Sequence, residues 1–167
     1  MTSALPTVLV VDDKPNMLRL MSKVLRADAQ VLTATGGEEA LRVLANHTVN
    51  AILSDLKMPD MSGIELLEAS KRLQPRAEFV LMTAYATVGT AVEALRLGAY
   101  DYLTKPFDPD DARAVILRAL GRAGPGQANP DDVVEVLPRT FARSARMREL
   151  GSMVHRVANS AATALIL

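Results

Sequence analysis

The chain has 167 residues, 19 basic and 19 acidic, is 49% hydrophobic, and contains neither Cys nor Trp. Its length suits one domain of ordinary size plus part of another, and the lack of cysteine excludes disulfides and thiolate metal sites. The N-terminal "MTSALPTVLVV" has no basic start and no long apolar core, no run approaches the ~20 apolar residues of a membrane helix, and the even charge gives no argument for nucleic acid; a cytoplasmic protein is expected.

Five short apolar runs alternate with helical patterns. The first, "TVLVV" (7–11), ends on two adjacent carboxylates, Asp12 and Asp13. Pro15 follows in the first turn of a helix, where its missing N–H is harmless. Leu18, Met21, Val24 and Leu25 stripe one face of that helix. "QVLTAT" (30–35) is the second strand, and Thr35-Gly-Gly-Glu38 reads as a capping box opening the second helix. "NAILS" (50–54) leads into Asp55, and Ser62-Gly-Ile-Glu65 reads as another capping box. "EFVLM" (78–82) leads into Thr83, after which Val88, Ala91, Val92 and Leu95 make a fourth helical stripe. Gly98 closes it as a left-handed stop. "AYDYL" (99–103) runs toward Lys105. The fifth helix opens with Asp108 as N-cap, Pro109 at its first position, and Asp110 and Asp111 near the positive end of the dipole. Ala112, Val115, Ile116 and Ala119 line its inner face.

Five strand–helix units in succession predict an α/β, doubly wound parallel sheet, and continuous apolar runs fit strands covered on both faces. Residues 1–121 would form this domain. "GRAGPGQANPDD" then reads as the start of a Gly/Pro-rich linker (122–138). Residues 139–167 hold one helix pattern and one apolar strand, too little to bury their own apolar face, as though a second domain opened there.

In an open parallel sheet the strand C-termini share one edge, and ligands bind in the crevice there. The residues following the strands are Asp12 and Asp13, Asp55, Thr83 and, beyond Thr104, Lys105. Any one alone has a plain reading: a helix cap, a loop acid or a solvated charge. Together they place three acids, a hydroxyl and an ammonium on one edge. A carboxylate pair ~4 Å apart repels by about 4 kcal/mol at an effective dielectric near 20, so the group must take up a proton or a cation. With no His or Cys nearby, an all-oxygen site favours a hard ion such as Mg²⁺. Asp12 and Asp13 then read as metal and water ligands. Asp55, beside a divalent ion and an ammonium, reads as a nucleophile toward a phosphoryl group, with the metal and Lys105 spreading the charge on the transferring oxygens.

The motifs "VVDD", "SDLKMPDMSG", "MTAYA" and "DYLTKPF" resemble the receiver domain of two-component response regulators, over about residues 5–121. The resemblance implies a flavodoxin-like strand order 2-1-3-4-5, Asp55 as phosphoacceptor and metal ligand, direct Mg²⁺ ligation by Asp13, help from Asp12 through water, and the backbone carbonyl of Lys57 as the third protein ligand. It implies that Thr83 and Lys105 bind phosphoryl oxygens. Tyr102 becomes the switch aromatic, occupying space that Thr83 vacates, and Pro106 follows a cis bond. The partner implied is a sensor histidine kinase. "FARSARMRELGSMVHRVANSAATALIL" is similar to the opening of the ATPase domain in sigma-54-dependent activators of the nitrogen-regulation type. That implies ATPase and DNA-binding domains in the full protein, although no GxxxxGK loop occurs in this chain.

Other readings accompany these. An exposed apolar surface from Val88, Ala91 and Leu95 with Leu117 and Leu120 suggests a homodimer through the fourth helix, fifth strand and fifth helix. His47 and His155 are expected to be isolated and exposed. The arginines at 139, 143, 146, 148 and 156 read as a solvated helix face or a contact to the ATPase body. The alternative function is a phosphatase of the haloacid dehalogenase type, which also sets Asp, Mg²⁺ and Lys on such a sheet. That family resembles D-x-D at its nucleophile, whereas here the second residue after Asp55 is Lys57.

Overall fold

A computed structural model of the protein describes residues 5–122. Ten elements alternate strictly: β1 (Thr7–Val11), α1 (Pro15–Leu25), β2 (Gln30–Ala34), α2 (Gly37–Asn46), β3 (Ala51–Asp55), α3 (Gly63–Leu73), β4 (Glu78–Thr83), α4 (Val88–Arg96), β5 (Asp101–Thr104) and α5 (Pro109–Arg122). All pairings are parallel and the strand order is β2-β1-β3-β4-β5, the expected doubly wound topology. Helix α5 runs one residue into the segment expected to be linker. The rest of that segment, the ATPase-like stretch, His155 and the five arginines lie outside the described residues.

Side-chain alternation along the strands divides the core in two. Leu9, Val11, Ile52, Phe79, Leu81 and Tyr102 meet α2, α3 and α4 on one face. Val8, Val10, Leu53, Val80, Met82 and Leu103 meet α1 and α5 on the other. β1, β3 and β4 are buried nearly throughout, while the edge strand β2 exposes Gln30 and Thr33. Hence continuous apolar runs mark the inner strands and a mixed run marks the edge.

Several local signals work as the residues suggest. Ser62 and Glu65 form a reciprocal capping box on α3. Asp108 accepts from Asp110 N at 2.9 Å at the start of α5. Gly98 adopts φ +88°, a left-handed conformation that a Cβ would oppose. The peptide bond between Lys105 and Pro106 is cis.

Three local readings are corrected. Thr35 does not pair with Glu38; its amide and hydroxyl both donate to Glu39 Oε2 at 2.7 Å. The N-cap of α2 is Gly36, which has no side chain to offer. On α4, the buried positions are Ala91 and Ala94, with Val88, Val92 and Leu95 only partly covered. The helix is turned so that its small residues pack closest to the sheet. Finally, β5 begins at Asp101 because Ala99 still belongs to the helix stop, its N–H donating to Ala94 O at 2.9 Å.

Candidate functional site

The C-terminal sheet edge carries the site, and backbone bonds fix it there. β3 ends at Asp55, opposite Met82 in the ladder. The ladder extends one step further, with Leu56 N donating to Met82 O at 2.9 Å. Gly63 N donates to Leu56 O at 2.8 Å, so the chain folds back at once over the strand end. A side chain on Gly63 would collide with the carbonyl of Asp55. Asp55 therefore sits on a braced stretch of backbone.

Asp12, Asp13 and Asp55 each offer a carboxylate oxygen, all within 4.8 Å of one another. Asp12 is fully buried and Asp55 nearly so, while Asp13 faces solvent. Lys105 Nζ bridges the buried pair, 2.7 Å from Asp12 Oδ2 and 3.2 Å from Asp55 Oδ1. Asp12 also accepts from Lys14 N at 2.8 Å. Burial pushes the Asp55 carboxyl above its usual range; Lys105 draws it back, and Asp12 adds to the rise. Three carboxylates against one ammonium leave two formal negative charges in a partly closed crevice. One divalent cation balances that, and the all-oxygen donor set suits a hard ion.

The remaining expected residues fall around this cluster in different ways. Thr83 is buried at the end of β4, one residue past the ladder partner of Asp55, and its hydroxyl accepts from Tyr85 N at 3.1 Å. The Lys57 side chain is exposed, its ammonium 4.3 Å from the centre of the Tyr85 ring. Tyr102 is already inside: its ring is 1% exposed among the residues facing α4, and its hydroxyl lies 3.0 Å from Thr90 Oγ1. No inward movement is needed to bury it. His47 is exposed, as expected.

Sequence reasoning passed over two residues here. Tyr85 is 66% exposed beside the acidic crevice, and a large exposed aromatic within "MTAYA" was the available signal. Asp60 accepts from Glu38 N at 2.9 Å, joining the β3–α3 loop to α2. Only a fold-level view brings those residues together, since 22 positions separate them.

Of the five residues expected to form an apolar docking face, Ala91 is in the core and Leu117 is exposed; Val88, Leu95 and Leu120 are partly buried. Among the described residues no helix is long and apolar enough to cross a membrane.

The chain is similar to known proteins throughout its described part. The Escherichia coli K12 transcriptional regulatory protein ZraR is 36% identical over 160 residues, which is 95% of this chain and 36% of ZraR. The DNA-binding transcriptional regulator NtrC of the same strain is 34% identical over 162 residues, 95% of this chain and 34% of NtrC. This chain thus spans about a third of the length of these relatives, which are of the activator type its motifs resemble. Among solved structures, a CheY-like response regulator receiver domain protein from Methanospirillum hungatei JF-1 superposes with a TM-score of 0.69 at 33% identity, covering 72% of this chain and 97% of that one. The response regulator TrrA from Thermotoga maritima, in complex with Mg²⁺-BeF, gives 0.62 at 28% identity, covering 69% and 99%. Receiver domains are signalling modules that bind Mg²⁺ through acidic residues and interact with histidine kinases; nothing in these similarities supports the phosphatase alternative. The response regulator receiver domain family matches residues 8–117, and the chain belongs to that family of two-component signalling proteins.

Proposed function

We propose that this chain takes a phosphoryl group from a partner histidine kinase onto Asp55. The observation that carries the reading is the cluster of three carboxylate oxygens within 4.8 Å, two of their side chains bridged by Lys105. Asp55 Oδ attacks phosphorus, the phosphorus–nitrogen bond of the donor phosphohistidine breaks, and the electron pair leaves with the imidazole. Asp13, Asp12, Asp55 and the Lys57 carbonyl would hold Mg²⁺, which when bound offsets charge on the phosphoryl oxygens. Lys105, already at Asp55, stays to pair with an added oxygen. The Thr83 hydroxyl, which accepts from Tyr85 N, turns its own O–H to donate to another phosphoryl oxygen and in turning gives up that amide.

That exchange is where the signal leaves the site. Two charge-assisted hydrogen bonds at ~1.5–3 kcal/mol each approach the ~5.5 kcal/mol that turns a 1:99 equilibrium into 99:1. The loop after β4 moves with Thr83, and α4, whose Thr90 holds Tyr102, follows. Tyr102 acts as a switch by keeping or releasing that contact, since it is buried at the outset. The altered α4–β5–α5 face then controls an ATPase and DNA-binding portion of a longer sigma-54-dependent activator in the cytoplasm. The names of the relatives and the third of their length that this chain spans support that setting. The reading includes a phosphorylation-driven homodimer through the same face, for which the exposed Leu117 is the main apolar contact available.

Acetyl phosphate with Mg²⁺ tests the chemistry. Intact-mass spectrometry is expected to show one added phosphate on the wild type and none on Asp55→Asn. Equal labelling of both, or of neither, removes the proposal. Size measurement with and without beryllofluoride tests the dimer, and an unchanged monomer rejects it.

A further inference from the structure

The β3–α3 loop, residues 56–62, carries the Lys57 carbonyl between two fixed ends. At its start Leu56 N is tied to β4, and at its finish the Ser62–Glu65 box holds α3. Between them, Asp60 reaches across to α2. The first N–H groups of a helix need acceptors, and α2 lacks a capping side chain because its N-cap is Gly36. Thr35, next to it, is engaged with Glu39. Asp60 Oδ2 supplies the acceptor from outside the helix, 2.9 Å from Glu38 N. The amides of Glu38, Gly37, Asp60 itself and Met61 together hold its carboxyl below the usual range.

The closeness of the approach points the same way. A Cβ built on Gly36 would lie 2.6 Å from Asp60 Oδ2, and one on Gly37 would lie 2.7 Å from the Met61 Cβ. Two adjacent glycines at the helix start thus let the loop lie directly on it. Gly is an ordinary N-cap but brings no side-chain acceptor of its own. Here the cap comes from the loop that follows the acceptor acid.

We infer that Asp60 is a positioning residue: by clamping the loop to the N-terminus of α2, it holds the Lys57 carbonyl where it completes the oxygen site of Asp12, Asp13 and Asp55. This rests on the metal site of the proposed function. Groups that orient metal ligands commonly change metal affinity by about 10–100-fold when removed. A clamp acting through one intervening stretch of loop is expected at the lower end.

The test is a Mg²⁺ titration of the ¹⁵N-labelled 167-residue chain, following the amide shifts of Asp12, Asp13 and Asp55, with thermal melts of the metal-free proteins. The variants are Asp60→Ala, Asp60→Asn and Gly37→Ala. Asp60→Ala is expected to weaken Mg²⁺ binding about tenfold. Asp60→Asn, which keeps an acceptor oxygen without the charge, is expected to stay within about threefold of wild type. Gly37→Ala keeps the charge and pushes the loop away, and is expected to behave like Asp60→Ala. Unchanged affinity in Asp60→Ala, with only a lower melting temperature, would make Asp60 a plain helix cap and overturn the inference. Equal weakening in Asp60→Asn and Asp60→Ala would assign the effect to charge and overturn it as well. A wild type that takes up no Mg²⁺ overturns the metal site itself, a result told apart by needing no variant.

Discussion

Lys105 Nζ lies 2.7 Å from Asp12 Oδ2, joining residues 93 positions apart across the buried mouth of the sheet. Asp12 is fully buried while the Lys105 side chain is 14% exposed, so it is the Asp12 carboxylate that has no water to take the ammonium's place. Removing one member of such a pair strands the other. Lys105→Ala is therefore expected to destabilise the metal-free protein by about 3 kcal/mol, read by urea denaturation. Mg²⁺ should restore part of the loss, because a cation that binds only the folded state stabilises it by mass action. The variant should bind Mg²⁺ more tightly than wild type, having lost a repelling ammonium, and yet accept phosphate from acetyl phosphate more slowly. A parallel fall in metal affinity and phosphorylation would contradict this account of Lys105.

The cation–π contact of Lys57 and Tyr85 links the loops leaving β3 and β4. Lys57 stands two residues after Asp55 and Tyr85 two after Thr83, so under the proposed function the pair would lie on the side from which water reaches a phosphorylated Asp55. An exposed contact of this kind is worth about 0.5–1 kcal/mol. Tyr85→Ala is expected to shorten the lifetime of phosphorylated protein by roughly two- to fivefold, measured by loss of the phosphate mass over time. Lys57→Met, which removes the charge and keeps bulk, should give a smaller change in the same direction. Unaltered lifetimes in both variants would deny the pair any role there.

Asp101 supplies a pH dependence with a defined sign. It is 3% exposed on β5 and accepts from Tyr102 N at 2.7 Å. Burial raises its carboxyl from an ordinary 3.8 to about 6, against smaller opposing effects of the Tyr102 amide and Arg118. Between those two values the folded protein holds more protons than the unfolded chain. Its contribution to stability is therefore present at low pH and lost as pH rises through about 6. Asp101→Asn keeps the amide's acceptor and removes the titration. Relative to wild type it should gain about 2–3 kcal/mol between pH 4 and pH 7.5 in urea denaturation. A constant difference across that range would show that Asp101 does not titrate there.

Thr90 has two tasks on α4. It completes a capping box with Thr87, each residue's hydroxyl accepting from the other's amide, and it meets the Tyr102 hydroxyl at 3.0 Å. Thr90→Val preserves shape and keeps the Thr90 amide bond to Thr87 Oγ1, but it loses the acceptor for Thr87 N and the contact with Tyr102, with an expected cost of about 1–2 kcal/mol. Amide hydrogen exchange should accelerate over residues 88–97 while β1 and β3 stay protected. Uniform acceleration throughout would mean that α4 is not a separately loosened unit.

The strands and the acidic edge were legible because each depends on local apolar runs and on where a strand stops, whereas the strand order was implied only by the resemblance of the motifs to receiver domains. Gly98 and the Ser62–Glu65 box were legible for the same reason: both signals are complete within four residues. The second helix was misread because a Thr-x-x-Glu spacing does not say whether the next residue, Glu39, reaches the threonine better. The Thr87–Thr90 box escaped notice because a hydroxyl takes the place usually held by Glu or Gln. The turning of α4 depends on how near a helix can approach the sheet, so the small Ala91 and Ala94 face inward and larger residues lie at the flank. The Asp60 clamp, the Lys57–Tyr85 contact and the burial of Tyr102 all join segments distant in sequence, and no window along the chain contains them.

Both strand ends at the crevice carry a further backbone bond, Leu56 N to Met82 O after β3 and Lys105 N to Thr83 O beside β4, and it is the loops beyond them that differ. The chain after Asp55 is turned back at Gly63, whose N–H donates to Leu56 O, whereas the loop after Thr83 starts on the bond from the Tyr85 amide to the Thr83 hydroxyl. A load applied at Asp55 meets a rigid abutment on one bank and a yielding one on the other. Deformation will follow the softer bank toward α4, leaving α2 and α3 as the fixed frame against which the motion is measured.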